Sequence, residues 1–239
     1  MTHVSTKSEG GSHSSTVDRY LETIYYIASE EVVVRPSRIS AWLSLSAPTV
    51  SEALRRLARD GWIDVKQDRS VTLTPEGHRV ASAIVRRHRV LERWLTDVLG
   101  FDWAAADVEA EKIASAISDE VITRMDASMG SPVTCPHGNA IPGRDPGYGE
   151  LLSLDDLPVH TPAHVRRISE VGEHEGQVLL LALTQFGIGE GSEIEVLSRR
   201  GRGGSIVSVG GSVGYDFDGD AARAIWVEPS LLSAASSAS

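Results

Sequence analysis

Apolar and polar positions along the chain alternate with three different periods, and each period marks a region. From Val17 to about Glu30 the apolar residues Tyr20, Leu21, Ile24, Tyr25 and Ile27 form a helical stripe, with Ser15 or Thr16 placed to cap it. Pro36 to Leu43 reads as a short helix, Ser44 to Ala47 as a break, and Pro48 to Asp60 as a longer helix opening on small polar residues. Gly61 to Thr74 then switches to strand-like alternation, a two-stranded hairpin with Asp68 at its tip. Thr74-Pro-Glu-Gly77 begins a long helix, proline standing where its missing N–H costs nothing, and the apolar stripe Val80, Ile84, Leu91, Leu95, Val98 carries it to Gly100. One further helix is predicted over about Ala104 to Met129.

Glycine and proline dominate from Gly130 to about Pro162, a loop and linker. Beyond His164 short strands are expected at 165–169, 192–198, 205–209 and 224–227, with a helix inserted over 176–186. Short strands and glycine turns predict a small barrel of about 65 residues. The fold class is therefore mainly α with small β: a disordered tail (1–16), a winged helix-turn-helix (17–76), a helical domain (77–145), a linker (146–163), a small barrel (164–228) and a second tail (229–239).

Helix, break, helix and hairpin in that order make a DNA reader. The second helix of such a unit enters the major groove with small polar residues leading, and Ser46, Pro48, Thr49, Ser51 and Glu52 occupy that end, with Arg55 and Arg56 extending a basic side. Glu52 is able to accept from a cytosine amine, but the sequence alone favours a course along the groove edge. Ser37, Arg38, Lys66 and Arg69 are read as phosphate contacts, which position without specifying sequence.

Net charge changes this picture only after it is divided. The 239-residue chain carries −10, yet residues 35–94 hold twelve Lys/Arg against six Asp/Glu, a local +6 that leaves −16 elsewhere. Screening limits phosphate attraction to about 10 Å, so the local sign governs. An apolar content of 41% fits a folded chain, and no apolar run approaches a membrane span. The lone Cys135 makes no internal disulfide, in keeping with a reducing cytoplasm. No nucleophile constellation points to an enzyme.

His88 and Glu92, four apart, share one helical face and can clamp a cation; Asp107 and Glu111 on the following helix add oxygen donors. Imidazole with carboxylate suits Mn2+ or Fe2+, with Zn2+ or Co2+ able to substitute. Cys135 and His137 are two apart, a spacing some metal sites use, but the flanking Pro and Gly favour plain loop geometry.

The segments Tyr20–Tyr25, Ser46–Ser51, Leu57–Gly61, Leu73–Gly77, Arg87–Glu92, Ile117–Val121 and Pro136–Pro142 together resemble the diphtheria-toxin-repressor-like metalloregulators, which include iron- and manganese-dependent repressors. The C-terminal strands resemble the family's SH3-like (FeoA-like) domain, and residues 224–227 lean towards the manganese-type branch. The resemblance implies a homodimer joined by the helices after the wing, binding palindromic operators of metal-homeostasis genes when loaded with metal. It implies two metal sites per subunit. For one, His88 and Glu92 match directly, Asp107 stands where the family has His, and His174 and Gln177 fall near the position of the third domain's ligands. For the other, the matching positions read Arg19, Glu111, Ala114 and Ser115; alanine cannot ligate and a guanidinium repels a cation, so this site is expected to be degraded. An Arg19–Glu111 pair in its place would loosen the dependence of DNA binding on metal. The rivals are a regulator of the same family responding to another ligand or to none, and an adaptor whose SH3-like domain binds a protein partner.

Overall fold

The computed structural model describes residues 14–30, 33–170, 177–201 and 204–230. Helix α1 spans Ser15–Ser29, capped by Ser14, one residue before the expected caps; the helix thus takes in residues assigned to the N-terminal tail. Helices α2 (Pro36–Leu43) and α3 (Ala47–Arg59) follow, separated by Ser44 at φ 52°. Strands β1 (Ile63–Val65) and β2 (Val71–Leu73) pair antiparallel as the wing. These elements share one core around Leu21, Ile24, Ile39, Leu57 and Ile63.

Helix α4 (Pro75–Asp97) is the beam of the molecule. Thr74 Oγ1 accepts from Gly77 N at 3.0 Å, and Pro75 follows the cap, as the sequence predicts. Gly77 is required there: an added Cβ would lie 1.9 Å from the Trp62 carbonyl, so only glycine lets α4 rest on the wing. The helix contributes Val80, Ala81 and Val85 to the winged-helix core, then Val90, Leu91 and Leu95 to a second core with Ala106, Ala110, Ile122 and Ile141. His88 and Glu92 sit where it passes from one core to the other.

The single helix expected over 104–129 is two. Helix α5 (Trp103–Ile113) runs into a 3-10 turn (Ala114–Ala116), and α6 (Asp119–Ser128) restarts with Ser118 as its cap. An apolar stripe survives this break because both helices face the same core, while Ser118 competes for the backbone N–H of Val121. Asp126 of α6, buried, ties α4 to the loop beyond through Arg86 and Arg144. Burial works against its ionisation, but the two guanidiniums outweigh it and hold its pKa below the ordinary value.

The C-terminal domain is a six-stranded antiparallel sheet in the order β3-β8-β4-β5-β6-β7, with bulges in three of its pairings. Its strands are β3 (Leu152–Ser153), β4 (Pro162–Ile168), β5 (Glu193–Arg199), β6 (Ser205–Val209), β7 (Ser212–Phe217) and β8 (Ile225–Pro229), with helices α7 (Gln177–Gln185) and α8 (Gly219–Ala224). Two corrections follow. The linker expected over 146–163 holds β3 and the buried Leu154 and Leu157, and β8 runs into the expected tail at Pro229. Strand β7 and helix α8 carry no alternation that stands out from the glycines and aspartates around them, and the sequence reading misses both. The remainder of both expected tails, 1–13 and 231–239, lies outside the described residues.

Candidate metal centre and nucleic-acid interface

The face of α4 holding His88 and Glu92 meets α5 on one side and the loop 131–144 on the other. His88 Nε2 lies 3.5 Å from Glu92 Oε1 and 3.4 Å from Asp107 Oδ1, so the three candidates read from the sequence do converge. The loop completes a second group around the same carboxylate. His137 Nδ1 lies 3.5 Å from Glu92 Oε1 and 3.9 Å from Cys135 Sγ. Within each triad, His88–Glu92–Asp107 and Glu92–Cys135–His137, the donor atoms all fall within 4.8 Å of one another. A tetrahedral ion with bonds of about 2.1 Å sets its donors about 3.4 Å apart, so the spacing fits a divalent transition metal.

Local chemistry explains why the loop delivers these two side chains. Gly138 N donates to the Cys135 carbonyl at 3.0 Å across a turn with Pro136 at its second position, and Cys135 N donates to Asn139 O at 2.9 Å. Gly138 has φ +81°, and an added Cβ would stand 1.8 Å from the Arg166 carbonyl of β4. The turn is thus pressed against the C-terminal domain, where Ile168 N donates to the His137 carbonyl at 2.8 Å and Asn139 Nδ2 to the Ile168 carbonyl at 2.9 Å. The Trp103 ring stands edge-on to His137, centroids 5.4 Å apart. The loop that the sequence reading left as plain turn geometry thus brings Cys135 and His137 beside Glu92, where the three make a candidate donor group. The signal lay in the run Cys-Pro-His-Gly, a tight turn with a donor on each side of its proline.

Electrostatics separate the two histidines. Burial opposes a charge on His88, but Glu92, Asp107 and Glu22 outweigh it and hold its pKa well above the ordinary imidazole value. For His137 burial wins, pushing the pKa down and keeping the ring neutral, the state in which imidazole ligates. Beside this group lies a cavity of about 90 Å3 whose wall includes Arg19, Glu22, His88, Asp107, Glu111 and Glu170. Arg19 and Glu111 face the same space, but the pair expected between them does not form among the described residues. Ala114 and Ser115 fall in the 3-10 turn after α5. Glu22, which accepts from Tyr26 Oη at 3.1 Å, was not singled out in the sequence; burial raises its pKa.

The resemblance implies His174 and Gln177 as the ligands from the C-terminal domain. His174 lies outside the described residues, and Gln177 begins α7. The acidic group brought to the cavity is Glu170, which accepts from Arg89 Nε of α4 at 3.0 Å. Next to it, Arg167 of β4 binds Glu30 at the end of α1 with contacts of 2.9 and 3.0 Å. These two ion pairs join all three domains around the candidate centre.

On the far side of the winged helix the exposed residues are those a DNA groove requires. Ser37, Pro48, Thr49, Ser51, Glu52, Arg55 and Arg56 are exposed, as are Lys66 and Arg69 on the wing; Arg38 is half-buried. Ser46 is spent on structure: its Oγ accepts from Thr49 N at 3.3 Å and lies 2.7 Å from Thr49 Oγ1, capping α3. Arg35 Nη1 donates to the Asp68 carbonyl at 2.9 Å, fixing the wing tip to α2. No helix among the described residues is long and apolar enough to cross a membrane.

Winged helix, helical middle domain with carboxylate and imidazole donors, and small β domain together define a DNA-binding metalloregulator. Three family models match in sequence: the iron-dependent repressor N-terminal DNA-binding domain over residues 13–71, the iron-dependent repressor metal-binding and dimerisation domain over 74–143, and the FeoA domain over 152–229. The chain is 34% identical to the diphtheria toxin repressor of Corynebacterium efficiens, covering 89% of this chain and 95% of that protein. It is also 34% identical to the iron-dependent repressor IdeR of Mycobacterium tuberculosis, over 82% of this chain and 89% of the relative. A solved manganese-dependent transcriptional repressor in complex with manganese superposes with a TM-score of 0.78 at 32% identity, covering 90% of this chain and all of that one. The chain belongs to the iron-dependent (diphtheria-toxin-repressor-like) repressor family, a family of transcriptional repressors and not of enzymes.

Proposed function

We propose that the protein is a homodimeric repressor in the cytoplasm that binds palindromic operators of metal-homeostasis genes when a divalent transition metal is bound. The observation that carries this reading is the shared carboxylate: Glu92 belongs to both donor triads, so a single side chain of α4 links α5 to the loop 131–144. His88, Glu92 and Asp107 would hold one ion, and Glu92, Cys135 and His137 would hold one beside it. A bound ion supplies charge neutralisation among these donors and cross-links the elements that carry them. Helix α4 packs on α1 and the wing at one end and on α5 at the other, so ordering its middle orders the angle at which α3 is presented. Oxygen and imidazole donors suit Mn2+ and Fe2+, and the Cys135 thiolate adds a ligand that also accepts Zn2+ or Co2+. Relatives named for iron and for manganese leave both metals within the proposal.

Self-association is supported by the exposed apolar side chains Val98, Leu99, Phe101, Ile113 and Val121, which lie from the end of α4 through α6. Two recognition helices related by a two-fold axis then read a palindrome. Two observations favour a second reading, binding without metal. The cation Arg19 already faces the acidic cavity, and the Glu30–Arg167 pair ties α1 to the C-terminal domain with no ion. Metal analysis of the purified protein, then operator titration with and without a chelator, separates them. Loss of binding on chelation and its return with Mn2+ or Fe2+ supports metal dependence; unchanged binding supports the second reading.

A further inference from the structure

Helix α3 buries Val50, Ala53, Leu54 and Leu57. At about 100° per residue, the line opposite that buried stripe passes among Pro48, Glu52, Arg55 and Arg59, with Glu52 about 30° from it. The sequence suggested that Glu52 skirts the groove edge; the structure instead puts it near the middle of the outward face, exposed, with no ion pair to any described residue. The other acidic group at this helix, Asp60, lies at its C-cap and is paired with Arg59 at 3.2 Å. Glu52 is therefore an unneutralised carboxylate carried into a groove walled by phosphates, and it needs a reward for being there.

Base edges in the major groove offer few rewards to a carboxylate. Guanine presents N7 and O6, thymine O4, all acceptors that repel it. Adenine N6–H lies between two acceptors, its own N7 and the partner thymine O4, whereas the cytosine N4 amine has an acceptor, the partner guanine O6, on one side only. The cytosine's partner guanine suits an arginine, and Arg55 and Arg56 follow on the same exposed side. Ser46 and Thr49, the hydroxyls nearest the helix start, are turned towards each other, which lessens their share in direct reading. We infer that Glu52 is a base-reading residue that commits each operator half-site to a C·G pair beneath the second turn of α3. This assignment rests on the operator-binding reading above and adds to it the specificity of one position.

The test is selection from a randomised duplex pool by the full chain, loaded with Mn2+ and in parallel with Fe2+, alongside Glu52→Gln and Glu52→Ala. The wild type is expected to enrich a half-site with one invariant C·G pair, and replacing that cytosine by thymine should weaken its binding roughly 10- to 100-fold. Glu52→Gln should shift the preference at that position towards adenine, and Glu52→Ala should lose the preference there and nowhere else. The assignment is overturned if either variant binds every duplex more tightly by one common factor, which would make Glu52 a general repulsive charge. It is equally overturned if the wild-type site has no cytosine that responds to the substitutions. A wild type that enriches a site whose bases are insensitive to Glu52 leaves operator binding standing and this assignment refuted; a wild type that enriches nothing refutes both.

Discussion

The DNA reader and the candidate metal centre are built in opposite ways. The elements of the reader, α1 through β2, follow one another directly around one core, with a cap at Ser46, a break at Ser44 and a wing tip held by Arg35. The candidate metal centre takes Glu92 from α4, Asp107 from α5 and Cys135 and His137 from a loop more than forty residues after Glu92, and that loop is pressed against the C-terminal domain. A reader assembled locally folds without a signal, whereas a centre assembled from distant segments reports on how those segments are arranged. That difference is what a sensor requires: the part that recognises DNA is constant, and the part that orients it is conditional.

The comparison is broken most forcefully at Glu92. Glu92→Gln keeps the shape but removes the shared anion from both triads, and we expect Mn2+ affinity, measured by calorimetry, to fall by more than about 100-fold while far-ultraviolet circular dichroism stays unchanged. If affinity holds, the two triads do not form a metal centre. Cys135→Ser should act on one triad only. Co2+ bound by the wild type should show thiolate charge-transfer absorption that vanishes in the variant, with affinity lowered about 10-fold or more; an unaltered spectrum would take the thiol out of the ligand set. A smaller effect is expected on the reader. Lys66→Ala and Arg69→Ala should each weaken binding about equally on all sequences and lower the salt slope by about 1, read from operator titrations at several salt concentrations. Sequence-selective losses would instead put the wing on base edges.

The same contrast explains what was legible beforehand. The winged helix follows from periods of 3.6 and 2, a proline at the start of α2 and of α3 and a break between them, all features of adjacent residues. His88 and Glu92 were visible because four residues make one helical turn. The spacing of Cys135 and His137 is legible too, but not their closeness to Glu92, which depends on the loop being pressed on β4. Glu170 was missed for a related reason: it reaches the cavity wall beside the centre while paired with Arg89 of α4, a contact between distant segments. The helix break at 114–118 is hidden by an apolar stripe that continues across it, since α5 and α6 face one core. Strand β7, preceded by Gly210 and Gly211 and interrupted by Gly214, offers too little alternation to stand out as a strand.

The central claim is that a metal held through Glu92 sets the affinity of the reader. Operator binding by the wild type and by Glu92→Gln, followed by fluorescence anisotropy as Mn2+ or Fe2+ is added to chelator-treated protein, tests it directly. The account predicts that wild-type affinity rises about 10-fold or more on metal addition and that the variant, equal to metal-free wild type at the start, shows no rise. A variant that still responds to metal like the wild type, or a wild type that binds its operator equally well with and without metal, would contradict it.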